Sequence, residues 1–138
     1  MGSTEALRAP QGCRECVLAP GQAEALVALS ANAGWNQVAA DWRFMLEHGR
    51  GVGFVDAAGS PVASAIHWPV GERLDWISMV LTHTAWRRRG FGTSLLQRCI
   101  DAVRGAGRAA GLDATELGRP LYAAMGFREL YTLSRWRL

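Results

Sequence analysis

Apolar residues fall on two periods along this chain. Leu74 to Thr82 (LDWISMVLT) is an apolar run rich in β-branched and aromatic residues, which predicts a buried strand. From Thr93 onward, Leu95, Leu96, Cys99, Ile100 and Val103 recur at helical spacing, while Gln97, Arg98, Asp101 and Arg104 take the other side. That pattern predicts an amphipathic helix. Earlier, Cys13 to Leu18 reads as a strand, and Ala19-Pro20-Gly21 as a turn into a helix carrying Leu26, Val27 and Leu29. Gly34-Trp35-Asn36 breaks that helix, and a second one ends near His48. Val52 to Asp56 and Val62 to His67 follow as strands joined by the AAGSP turn, and Pro69 and Gly71 lead into Leu74. After the long helix come a short strand at Leu112 to Ala114, a helix holding Leu121-Tyr122 with a C-cap at Gly126, and a final strand to the C-terminus. The predicted order is β-αα-βββ-α-β-α-β. Residues 1–11 carry neither period and are expected to be a flexible tail, with 12–138 forming a single domain.

Composition narrows the classes open to such a domain. A chain of 138 residues, 49% hydrophobic, supports one core and not two. No stretch approaches the ~20 apolar residues of a membrane span, and no secretory hydrophobic region opens the chain, so a cytoplasmic location with no membrane partner is expected. All 15 cations are arginine, the net charge is +3, and only Arg87 to Arg89 cluster, which argues against a nucleic-acid partner. Cys13 and Cys16 form a lone CxxC without a second ligand pair, and Cys99 lies on the apolar side of the long helix. Reduced structural thiols and no metal are expected.

The chemistry concentrates at Arg87 to Thr93 (RRRGFGT). This segment follows the apolar strand and opens the long helix, where first-turn N–H groups lack helical partners and favour an anion. Gly90 and Gly92 let backbone approach a diphosphate, and Arg87, Arg88 and Arg89 add charge and bidentate donors. A P-loop is excluded by the absence of GxxxxGK[ST] and of any lysine. Gly51-Val52-Gly53 leads to a turn and not a helix, so it is no dinucleotide fingerprint.

R-x-x-G-x-G here, with LYAAMGF at Leu121 to Phe127, resembles the GNAT superfamily of acyl-CoA N-acyltransferases, and LDATELG at Leu112 to Gly118 is similar to a bacterial subset of it. The resemblance covers nearly the whole chain. It implies an α/β (α+β) fold with a mixed, centrally splayed sheet flanked by helices. It implies transfer of an acetyl group from acetyl-CoA to a primary amine by direct attack. The donor site would comprise Val80, Leu81, Thr82, Arg87, Arg88, Arg89, Gly90, Phe91, Gly92, Thr93 and Thr115, with the Val80 N–H at the growing oxyanion and Tyr122 as general acid on the departing thiolate. Thr115 stands where many members have asparagine. The plain alternative for Tyr122 is a core aromatic.

No general base is assigned: the position where some members carry glutamate is Trp76, Asp75 should face the other way, and His67 and His83 are only candidates. Trp35, Asn36, Asp41 and Trp42 are candidates for the acceptor side, with helix-to-sheet packing as the plainer reading of the tryptophans and a solvated charge that of Asp41. The acceptor is expected to be a small-molecule or peptide amine. Phe127 to Leu138 has room for one closing strand where the family usually has two, which suggests a truncated chain or a homodimer that pairs edges. A non-catalytic acyl-CoA sensor is the alternative function.

Overall fold

Leu74 to Thr82 forms the central strand that its composition predicts, and the other elements assemble around it. The computed structural model describes residues 12–134 and 136, so the expected tail at 1–11 lies outside the described residues. In chain order the elements are β1 (Cys13–Leu18), a 3₁₀ turn (Pro20–Gln22), α1 (Ala23–Asn32), α2 (Ala39–His48), β2 (Arg50–Asp56), β3 (Pro61–Pro69) and β4 (Leu74–Thr82). A second 3₁₀ turn (Thr84–Trp86), α3 (Phe91–Gly105), β5 (Ala109–Leu112) and α4 (Arg119–Ala124) complete it. The five strands lie in sequence order. The first three pairings are antiparallel and β4–β5 is parallel.

Each sheet face buries its own apolar cluster. On one face Phe91, Leu95, Leu96 and Cys99 of α3 pack onto Phe54 and Ile77 of the sheet. On the other, Leu26, Leu29, Trp42, Leu46, Ile66, Met79 and Leu81 pack beneath α1 and α2. Trp42 is fully buried, and its Nε1 donates to Ser30 Oγ at 3.3 Å. Burial of Cys99 pushes its thiol up to about 12, consistent with an inert structural cysteine.

The buried alternate residues of β4 divide between the two clusters because the strand carries one extra residue. Ser64 faces Leu81 but Ile66 faces Ser78, so the register shifts by one across Met79 and Val80. Met79 takes φ 55°, a left-handed conformation rare outside glycine. A regular strand would send positions 77, 79 and 81 to one face. With the bulge, Ile77 faces α3 while Met79 and Leu81 face α1 and α2.

The sheet splays next to this bulge. β5 pairs with β4 only from Leu74↔Ala109 to Ile77↔Leu112, and Ser78 to Thr82 continue without it. β5 thus lies at Ala109–Leu112 and not at Leu112 to Ala114. Its position is set by pairing with the start of β4, which Ala109, Ala110 and Gly111 do not announce by strand propensity. The expected closing strand is also corrected: residues 127–134 are not in a strand, and Leu130, Tyr131 and Leu133 are exposed. Apolar alternation cannot make a strand where no described edge pairs with it. Arg135, Arg137 and Leu138 lie outside the described residues.

Candidate active site

The segment between β4 and α3 builds a concentrated set of free donors. Arg88 (φ 63°) and Gly90 (φ 81°) are both left-handed and bend the loop tightly onto the helix start. The first helical bond of α3 runs from Ser94 N–H to Gly90 O at 3.0 Å, and no side chain caps Gly90. The N–H groups of Phe91, Gly92 and Thr93 are therefore left to face an anion. The Phe91 side chain itself is core, with its ring 4.6 Å from that of Phe54. Gly92 is helical, and a Cβ there would lie 3.7 Å from Leu121 Cδ2, so its missing side chain leaves space between α3 and α4. Arg87, Arg88 and Arg89 are exposed, and the Arg89 guanidinium sits 4.8 Å above the Trp86 ring. The donors, the charge and the open backbone fit a diphosphate.

The open edge of β4 supplies the second part. His83 N–H bonds Val62 O at 2.8 Å and Leu81 pairs with Ser64, so the main-chain polar groups of Leu81 and His83 face β3. Alternation turns the N–H groups of Val80 and Thr82 the other way, into the gap left by β5. Leu81, its side chain buried in the α1/α2 cluster, presents no N–H to the gap.

Tyr122 lies in α4, half-buried against the α3-side cluster that Val80 also touches. Its ring packs over Gly118, where a Cβ would come within 2.8 Å of Cε2, and stands edge-on to Phe127 at 6.1 Å. Burial raises the phenol above its ordinary 10.0, so it is fully protonated at neutral pH. Gly126 (φ 97°) ends the helix, with Phe127 N–H bonding Tyr122 O at 3.0 Å. Thr115 is exposed, and its Oγ1 accepts from Gly118 N–H at 3.2 Å, which organises the turn into α4.

The other candidates divide. Trp35 and Asn36 are exposed in the α1–α2 loop. Asp41 accepts from Val38 N–H at 3.0 Å, closing the first turn of α2, and Trp42 is in the core. These two meet the plainer reading. His83 Nδ1 accepts from Ala85 N–H at 3.0 Å. His67 Nδ1 lies 2.8 Å from Asp75 Oδ2, and Asp75 Oδ1 accepts from Arg108 Nε at 2.5 Å. Burial works to raise the Asp75 pKa, but its bonds to His67 and Arg108 outweigh that and hold it below the ordinary 3.8. Arg108 Nη2 also donates to Gly71 O and Leu74 O, each at 2.8 Å, tying the β3–β4 turn to the start of β5. This network is tertiary, and no local motif announced it.

A model of the GNAT acetyltransferase domain matches residues 40–129. The chain belongs to the GNAT family. It is an acyltransferase by that membership. Solved structures agree on the fold. A Trypanosoma brucei acetyltransferase superimposes with TM-score 0.75 at 21% identity, covering 91% of this chain and 99% of the other. A predicted acetyltransferase from Clostridium acetobutylicum, solved with acetyl-CoA, gives 0.76 at 15% identity, with 91% and 96% covered. A ribosomal-protein-alanine N-acetyltransferase from Brucella melitensis gives 0.71 at 16%, with 91% and 99% covered. No curated protein matches significantly. Among the described residues no helix is long and apolar enough to cross a membrane, and no group of three or more His, Cys, Asp or Glu gathers to hold a metal.

Proposed function

We propose that this GNAT protein moves an acetyl group from acetyl-CoA to a primary amine by direct attack. What supports the reading is one juxtaposition: an uncapped helix start with two glycines and three arginines, next to a strand edge left open by the splay. The acetyl-CoA in the Clostridium protein supports the same donor.

Phe91, Gly92 and Thr93 N–H groups, with Arg87 to Arg89, hold the diphosphate. Val80 and Thr82 N–H groups hold the arm, and Val80 N–H steadies the charge that grows on the carbonyl oxygen. The amine attacks the carbonyl carbon, the carbon–sulfur bond breaks as Tyr122 donates its proton to the departing sulfur, and the proton that the nitrogen sheds on becoming an amide passes to water, from which the tyrosinate is reprotonated. The raised phenol pKa keeps that proton available at neutral pH. His67 and His83 are both engaged locally, so the amine is taken to react as its free base from solution. Thr115 serves the entry to α4, and its part in donor binding is secondary.

The test is free-thiol release from acetyl-CoA with a panel of amines, paired with calorimetry on CoA. Amine-dependent thiol release is the expected outcome. Binding without release by any amine would turn the reading to an acyl-CoA sensor, and no binding at millimolar CoA would remove both.

A further inference from the structure

Three large aromatic side chains gather on the sheet face opposite α3, next to where β4 and β5 part, and the donor site uses none of them. Trp68 and Trp76 are direct cross-strand partners on β3 and β4. Trp68 packs against the α1/α2 cluster, so the pair occupies the face away from α3, Val80 and Tyr122. Its indole is fixed: Nε1 donates to Ser78 Oγ at 3.2 Å. Ser78 is the first residue of β4 beyond its pairing with β5, which puts this anchored ring at the edge of the splay.

Two glycines make room for the pair. A Cβ on Gly111 would lie 2.7 Å from Trp76 Cζ3, so the Trp76 ring spreads flat across the β5 backbone. A Cβ on Gly49 would lie 2.6 Å from Trp68 Cβ, so the end of α2 closes tightly on that side. Phe44 completes the wall from α2, standing edge-on to Trp68 at 6.0 Å and 81° and stacked on His48 at 4.3 Å. Phe44 is 50% exposed although it is a large apolar ring.

We propose that the acceptor is a primary amine that carries an aromatic ring, and that the ring stacks in the wall of Phe44, Trp68 and Trp76 while the amine reaches past Ser78 to the thioester. This rests on the acetyl-transfer reading above. The donor enters from the α3 side, so the nucleophile must approach from the face that bears the wall. The indole N–H of Trp68 is already used, so the wall offers π faces and edges and little hydrogen bonding. Such a surface selects flat apolar groups over polyhydroxylated or polycationic ones.

The experiment compares 2-phenylethylamine with n-butylamine as acceptors, by thiol release from acetyl-CoA. The aryl amine is expected to have a kcat/KM higher by about tenfold, since each well-placed ring pair contributes about 2- to 12-fold and the wall offers three rings. Phe44→Ala should lower the ratio of the two by about two- to tenfold, chiefly through KM. Phe44 is half-exposed, so this variant should fold, and Trp76→Leu provides a second one. Equal kcat/KM for the two amines, or a ratio unmoved by Phe44→Ala, overturns the proposal. Tryptophan fluorescence titrated with 2-phenylethylamine tests the wall without turnover: saturable quenching weakened by Phe44→Ala supports it even if acetyl-CoA is not the donor. Quenching that never saturates, or that Phe44→Ala leaves unaltered, counts against the wall alone.

Discussion

Gly90 and Gly92 stand two residues apart, yet valine should affect them differently. Gly90 is held at φ +81°, where a β-branched residue is strained by about 1–3 kcal/mol. Gly92 is helical, and the nearest atom to an added Cβ is Leu121 Cδ2 at 3.7 Å, an ordinary contact. Valine and glycine differ by about 0.5 kcal/mol or less in helix propensity, so Gly92→Val should leave the unliganded fold nearly unchanged. Binding should respond in the opposite way. A side chain in the space between α3 and α4 displaces the diphosphate from the first-turn N–H groups, and the loss of two charge-assisted bonds is worth about 3 kcal/mol or more, over a hundredfold in affinity. Thermal unfolding with and without CoA separates the two effects. At a CoA concentration 100 times the parent's Kd, ligand stabilisation of about 2.7 kcal/mol should fall to about 0.4 kcal/mol in Gly92→Val, while Gly90→Val is weakened even without ligand. The same CoA-induced shift in Gly92→Val as in the parent would refute this placement of the cradle.

Tyr122→Phe should lower kcat by about 10²- to 10⁴-fold with acetyl-CoA affinity nearly unchanged, because the hydroxyl matters once charge appears on sulfur. An unchanged kcat with chemistry rate-limiting would return Tyr122 to a packing role. Asp75, whose folded pKa lies below its ordinary 3.8, contributes stability that is full above about pH 4 and is lost as pH falls through the folded value. Acid unfolding of Asp75→Asn should therefore lose the part of the stability slope below about pH 4, and an identical acid limb would disprove that coupling.

The strands Cys13–Leu18 and Leu74–Thr82 have the bounds their residues predict, because each carries its own propensity and burial pattern. The junction before α3 was legible for the same reason, although the helix starts at Phe91 and not at Thr93, which places Gly92 inside its first turn. β5 was misplaced by three residues because its small side chains say little and Leu74 to Ile77 choose its register. The bulge was hidden because LDWISMVLT gives no sign of a parity change at Met79. Trp42 was readable as helix-to-sheet packing, but not its partner, since Ser30 comes across from α1 to accept its indole N–H. The Phe44, Trp68 and Trp76 wall was missed altogether. Its members are spread over three elements, and only the sheet register and the two glycines bring them together.

Because Met79 is a residue that β3 does not match, β4 could lose one residue here and keep its register. Removing Met79 would restore a regular ladder in which Ile66 still faces Ser78 and Ser64 still faces Leu81. Ile77 and Val80 would stay on the α3 side and Leu81 on the α1/α2 side, and what would go is the left-handed residue and the local bend beside the splay. Substitutions along this strand test single contacts, whereas a lost codon at Met79 would leave both layers of the core in register and fall on the bend that the donor site uses. The AAGSP turn at Ala57 to Pro61 joins β2 and β3 at the surface, so insertions in evolving relatives are far easier to accommodate there than in the nine residues of β4.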